Sequence, residues 1–360
     1  MATTTTSPII RPLAAPVPVL TAFNSKILPP FNPVLDRVRG MFAGHFLGDA
    51  LGAPHEFGVN TPYTGLLQQV PFMNSRWQGR KELAVGQVTD DTEMTLALLR
   101  TMITNHGYNS NEVLKAYLGW ANSDGWMIGK NTSAMFRGVT TPGGHSKRIQ
   151  LALVAPEEQR SQSNGALMRC SPLALLRNKQ IVAKAVAQDV WLSNPVNICS
   201  DVNMIYVAAL QLALHGIPRN QIFVYLQLLP KNPRIKEVFD QVASRTESDI
   251  VHQKGWCLHA LWISLIVLTS NLNYQDAMRA IITQPGSDTD TNAAIAGALL
   301  GACLGFDALQ KEKLTGQNIP ILLNTAAQVA AGNSPTPRPA AYQPADFWQL
   351  TEAAYRLTLI

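Results

Sequence analysis

Charge is scarce in this chain. Only 15% of its 360 residues are charged, against 46% hydrophobic. With so large an apolar supply, most of its elements must be buried. The formal net charge of +5 is mild. There is no dense Lys/Arg run and no nucleic-acid-binding signature, which excludes a nucleic-acid partner and leaves room for an anionic small ligand. The four cysteines, Cys170, Cys199, Cys257 and Cys303, are too far apart for a CxxC redox or zinc pattern. Each has apolar neighbours, as expected of reduced, buried thiols in a cytoplasmic protein. Long apolar runs are missing too. The longest, WCLHALWISLIVLTS from Trp256 to Ser270, falls short of the ~20 residues of a membrane span. It reads as a core helix, with no membrane partner. HExxH is absent, since His55-Glu56 is followed by Phe-Gly-Val, which excludes that zinc-protease motif. Residues 1–33 have no basic start leading into an unbroken apolar core, so they read as a poor signal peptide. Their prolines oppose a helix, and they read as a flexible Pro/Thr-rich tail.

What is present is helical periodicity. LDRVRGMFAGHFLGDALG, DTEMTLALLRTMIT, SNEVLKAYLGWA, DVNMIYVAALQLALHG and YQDAMRAII each place apolar residues at helical spacing. Period-two runs are few, and no convincing hairpin stands out. The expectation is an all-α, compact, single-domain orthogonal helical bundle over 34–360, with loops carrying the polar motifs. A Pro-rich linker is expected at about 332–345, followed by a terminal helix from about Asp346.

Two polar stretches open apolar helices. One is VTDDTEM, with Thr89, Asp90 and Asp91; the other is GSDTDTN, with Asp288, Asp290 and Thr291. Asp and Thr are good helix caps, and Glu93 stands at capping-box spacing from Asp90. Capping explains one acid at each start, but not four. If the two helix starts meet, the carboxylates repel and raise one another's pKa. A hard divalent cation relieves that cost, with Thr89 and Thr291 adding neutral oxygens. Four acids balance two such ions, which suggests a two-metal site. The helix after Asp290 carries Ala293, Gly297, Gly301 and Gly305 on one face. Such a stripe admits a close neighbouring helix, whether or not it serves a site.

GDALGAPHEFG, GQVTDDTEMTLALL, NGALMRCSPLAL and GSDTDTNAAIAGALLGACLG occur in an order that resembles the ADP-ribosylglycohydrolases, from about Val38 to Gly305. The resemblance implies an all-α fold with a binuclear Mg²⁺ centre, Mn²⁺ being the alternative, in a cleft. It implies metal ligation by Thr89, Asp90, Asp91, Asp288, Asp290 and Thr291. It places Glu56 near the metals, and Glu56 and Asp91 as the proton-handling acids. It puts Ser161, Ser163, Asn164 and Gly165 in one loop against ADP-ribose and Asn131 and Thr132 in a second. The implied enzyme removes ADP-ribose from a modified protein side chain, arginine first, with serine or a small O-linked conjugate as other carriers, and acts as a monomer. Two departures stand out. Met127 occupies the place of an Asp that often follows a Trp in the family, so that either a metal-proximal carboxylate is missing or Asp124 stands in for it. Ser193-Asn194-Pro195 replaces a Thr-His-Pro motif. Two alternatives stay open: a non-catalytic member of the fold, and an Mg²⁺-dependent all-α diphosphate enzyme. Against the latter, Met94 stands where DDxxD needs its third acid.

Overall fold

The computed structural model describes residues 34–58, 62–75, 79–125, 127–229, 231–246, 254–284 and 287–360. The segment 1–33, expected to be a flexible tail, lies outside the described residues. In chain order the helices are α1 (Leu35–Gly52), α2 (Asp90–Thr104), α3 (Ser110–Ala121), α4 (Lys130–Phe136), α5 (Pro142–Val154), α6 (Lys179–Trp191), α7 (Asn197–Leu214) and α8 (Arg219–Gln227). Next come α9 (Pro233–Ser244), α10 (Cys257–Leu268), α11 (Tyr274–Ile282), α12 (Thr289–Leu304), α13 (Phe306–Lys311), α14 (Lys313–Ala330) and α15 (Phe347–Leu357). The fold is all-α, as expected, with one exception among the described residues. Strands β1 (Val70–Ser75) and β2 (Gly79–Leu83) pair antiparallel. The sequence reading missed this hairpin because Pro71 and the charged residues of β2 blur the alternation that marks a half-buried strand.

The fold is organised about α1 and α12. The small-residue stripe of α12 has a matching partner on α1, spaced by four: Gly40, Gly44, Gly48 and Gly52. The two stripes run antiparallel. A Cβ at Gly40 would sit 2.3 Å from the Gly301 carbonyl oxygen, one at Gly44 2.2 Å from that of Gly297, and one at Gly48 2.2 Å from that of Ala293. The backbones therefore approach as closely as backbones can. Helix interiors pay about 1 kcal/mol for each glycine, and here the return is a contact no side chain would permit. Tyr274 Oη donates to the Gly44 carbonyl at 2.6 Å and Tyr206 Oη to that of Ile295 at 2.8 Å, clamping the pair from α11 and α7. Near the ends, Thr289 Oγ1 donates to the Gly52 carbonyl at 3.0 Å. The polar ends of both helices are thus fixed relative to one another.

The Pro-rich segment before α15 packs against the body. Arg338 is buried and binds Glu93 of α2 through Nε (2.8 Å) and Nη2 (2.7 Å). Trp120 Nε1 donates to the same carboxylate at 2.8 Å, and Gln343 Nε2 at 3.3 Å. This corrects the capping-box reading of Glu93: its partner is a cation far along the chain, not the start of its own helix.

Candidate metal centre and active site

The acids at the two helix starts do not act as caps. Thr89 is the N-cap of α2 and Asp288 that of α12, and neither side chain makes a capping hydrogen bond. At α2 the work is done from another helix. Asp49 of α1, fully buried, accepts from Thr89 N (3.0 Å), Thr92 N (3.1 Å) and Thr89 Oγ1 (2.6 Å). An outside carboxylate has replaced the local cap, so Asp90 and Asp91 are left free to point elsewhere.

They lie near enough to the acids of α12 to be raised by their charge, though outside the tightest group. Glu56, Asp288 and Asp290 offer carboxylate oxygens all within 4.8 Å of one another. Burial, then Asp290, Asp288, Asp90 and Asp91, push the Glu56 carboxyl well above the usual carboxylate range. Burial and then Asp290 likewise raise Asp90 and Asp91, and burial and then Asp288 raise Asp290. Asp49 is raised by burial, while the donors around it pull the other way. Segments nearly two hundred positions apart in sequence therefore meet. Among the described residues no ion pair involves any of these six acids.

The oxygen set fits a hard cation. Asp91 Oδ1 is buried without a hydrogen-bond partner, and such an atom costs free energy unless something electropositive meets it. The Thr89 hydroxyl spends its proton on Asp49 and lies 3.4 Å from Asp91 Oδ2, so its oxygen keeps lone pairs that can serve an ion beside Asp91. Thr291 lies in the first turn of α12, where its backbone N donates to Asp290 Oδ1 at 2.8 Å. Oxygen-only donor sets of this kind suit Mg²⁺ or Mn²⁺.

The loop Ser161–Gly165 forms the neighbouring wall. Asn164 Nδ2 donates to Asp288 Oδ2 at 2.8 Å, and Asn164 N to the Gly255 carbonyl at 2.8 Å. The second loop meets the first, since a Cβ on Gly165 would lie 2.8 Å from Thr132 Oγ1. Asn131 Nδ2 donates to the Ser193 carbonyl at 3.0 Å, so its amide is engaged in holding the loops. Asn194, at the departure from Thr-His-Pro, donates from Nδ2 to the Ser163 hydroxyl at 3.1 Å. Asp124 is not part of the acid group: its exposed carboxylate pairs with Arg137 at 3.9 Å. Asp49 is the residue that sequence reasoning passed over. Its signal was an aspartate inside the apolar second half of α1.

An all-α fold on a glycine-packed helix pair, with six acids from three chain segments converging beside a polar loop, defines a class of hydrolase. The ADP-ribosylglycohydrolase family profile matches residues 31–334, and the chain belongs to that family, whose members cleave the glycosyl bond to ADP-ribose. A protein of Acanthamoeba polyphaga mimivirus, provisionally named ADP-ribosyl glycohydrolase L543, is 26% identical over 75% of this chain and 88% of its own. The ADP-ribosylarginine hydrolase Tri1 of Pseudomonas putida (strain GB-1) is 25% identical over 77% of this chain and 73% of its own. Among solved structures, a chain of an ADP-ribosylglycohydrolase-related protein complex has the same fold, with a TM-score of 0.63 at 20% identity, covering 90% of this chain and 98% of that one. Family membership removes the diphosphate-enzyme alternative.

Proposed function

We propose that this ADP-ribosyl hydrolase is metal-dependent and acts on ADP-ribosyl-arginine. The observation that carries the metal dependence is the group of acids without an ion-pair partner, Glu56, Asp288 and Asp290, together with the orphaned, buried Asp91 Oδ1. Thr89, Asp90, Asp91, Asp288, Asp290 and Thr291 would hold two Mg²⁺ or Mn²⁺ ions. Bound there, a pair of divalent ions supplies Lewis acidity toward water and sugar hydroxyls. The protein's own groups do the rest. Glu56 is half-buried beside Asp288 and Asp290, so it is suited to exchange a proton with a water or with the leaving atom. Asp91 is almost fully buried, so it serves only a group already inside the site. Asn164 spends its side-chain N–H on Asp288, and so orients that carboxylate. The backbone N–H groups of the Ser161–Gly165 loop are suited to the diphosphate. Arginine as the carrier is supported by the similarity to an ADP-ribosylarginine hydrolase.

The test is release of free ADP-ribose from ADP-ribosyl-arginine and ADP-ribosyl-serine peptides, with Mg²⁺, with Mn²⁺ and with chelator. Release from the arginine peptide, abolished by chelator, is expected. Glu56→Gln should lower kcat by about 100-fold or more while leaving Mn²⁺ binding measurable. Equal release in chelator would refute the metal dependence, and release from serine alone would refute the carrier.

A further inference from the structure

The Ser161–Gly165 loop has little regular structure of its own, yet it places Asn164 on Asp288. Two fully buried side chains brace it from below, one at each end. At its start, Asn194 Nδ2 faces three acceptors of the loop: the Ser161 carbonyl at 3.2 Å, the Ser163 carbonyl at 3.3 Å and the Ser163 hydroxyl at 3.1 Å. On the other side of the amide, Oδ1 accepts from Ser193 Oγ at 2.8 Å. Two carbonyls on one side settle which end of the amide carries hydrogens. At the far end of the loop, Arg169 Nη1 donates to the Gly165 carbonyl at 2.9 Å. The Arg169 guanidinium is held in turn by Asp189, through Nε to Oδ2 at 3.1 Å and Nη2 to the backbone carbonyl at 2.9 Å.

Asn194 also joins the two loops that flank the cleft. Its neighbour Ser193 offers its backbone carbonyl to Asn131 Nδ2 at 3.0 Å. One short connection between α6 and α7 therefore sets both walls at once. The side chain itself is fully buried and has no path to a ligand.

We propose that Asn194 is a positioning residue for ADP-ribose binding, acting through the Ser161–Gly165 loop without touching the substrate. The inference rests on the reading of that loop as the ADP-ribose wall. It follows that Asn194 contributes to substrate affinity and little to the bond-breaking step, because the acids that handle protons are carried by other segments. An isosteric change tests it. In Asn194→Asp the group facing three acceptors becomes an acceptor itself, with almost no change in shape.

The experiment compares the unaltered protein with Asn194→Asp by steady-state hydrolysis of an ADP-ribosyl-arginine peptide in Mn²⁺, ADP-ribose calorimetry, Mn²⁺ titration and amide hydrogen exchange over 162–165. The expected result is a rise of roughly tenfold or more in KM and in the ADP-ribose Kd, an unchanged kcat, faster exchange confined to the loop, and Mn²⁺ affinity changed far less than the ADP-ribose Kd, because Asn164, which meets Asp288, keeps its own backbone anchor on the Gly255 carbonyl at 2.8 Å. Asn194→Ser, which brings no charge and cannot reach the loop acceptors, is read by the same criteria if the aspartate variant does not fold. KM and Kd at the values of the unaltered protein would overturn the proposal. So would a parallel loss of kcat and Mn²⁺ affinity with exchange raised throughout the molecule, which marks a purely structural role. If the unaltered protein itself neither binds ADP-ribose nor releases it, the functional reading falls, and the proposed ligand with it. If the unaltered protein is active and the variant behaves identically, only the role of Asn194 falls.

Discussion

Gly44→Ala is the sharpest test of how the fold holds its site. Gly44 sits mid-stripe on α1, away from the acids. The added Cβ would lie 2.2 Å from the Gly297 carbonyl oxygen and 3.2 Å from Tyr274 Cε2. The first obstacle is backbone, and ordinary contact begins at 3.4 Å, so α1 and α12 must separate by about an ångström. Overpacking of this kind costs about 1–3 kcal/mol, and the upper end applies because no flexible side chain can yield. Alanine recovers about 1 kcal/mol of helix propensity. The net loss is roughly 2 kcal/mol, or about 3 °C in Tm for a chain of this size. Asp49 rides on α1 and Asp290 on α12, so the separation also spreads the acid group, and Mn²⁺ affinity should fall by about 10–100-fold. The assays are thermal unfolding and Mn²⁺ titration. Gly119→Ala on α3 is the control: its new Cβ would meet only Tyr342 Oη at 3.7 Å, so it should gain up to about 1 kcal/mol. If the two variants were equally stable, or if Gly44→Ala bound Mn²⁺ normally, the idea that the glycine stripes set the site would be wrong.

Three further outcomes can be checked. Asp290→Asn should raise the Tm of the metal-free protein, since one source of repulsion is removed and each unit of pKa shift is worth about 1.4 kcal/mol, while calorimetry finds Mn²⁺ binding lost. In the metal-free protein Glu56, Asp90, Asp91 and Asp290 titrate above the ordinary carboxylate range. The folded state then holds more protons than the unfolded chain, so the stability these groups contribute is complete below about pH 4 and declines as pH rises through their elevated values. Melting curves from about pH 5 to 8 should fall with pH without metal and flatten with saturating Mn²⁺; a rise with pH in the metal-free protein would contradict the raised carboxyls. Glu93→Gln breaks a buried pair in which both side chains are 3% exposed. It should cost about 3–5 kcal/mol in urea unfolding, with a loss under 1 kcal/mol refuting the assignment of Arg338 as its partner.

What could be read in the sequence was whatever has a local signature. Asp90, Asp91, Asp288 and Asp290 stand at helix starts, where acids and threonines interrupt apolar periodicity, and the stripe from Ala293 to Gly305 declares its own spacing. Gly40, Gly44, Gly48 and Gly52 carry the same four-residue signal, but a stripe does not name its partner. Glu93 was misread because a capping box is a local pattern, whereas its true partner lies 245 residues away. Asp49 was missed for the opposite reason. It has no local partner at all, and its meaning appears only when Thr89 and Thr92 arrive from another segment. The β1–β2 hairpin has neither clean alternation nor a strong turn pair to announce it.

The helix starts themselves show what the fold has given up. An N-cap side chain is worth about 1 kcal/mol, and an acid near a helix N-terminus gains further from the macrodipole. At α2 and α12 suitable side chains are in place, yet neither N-cap side chain closes onto its own backbone. At α2 Asp49 supplies the missing acceptor from outside, at the expense of burying a carboxylate that has no cation beside it. A chain shaped for stability alone would have used the local caps and placed an apolar residue at 49. Here the local oxygens are kept open and are held together by a helix contact so close that a Cβ at Gly40, Gly44 or Gly48 would strike backbone oxygen. That combination has a physical reason only if something of opposite charge enters the space between them.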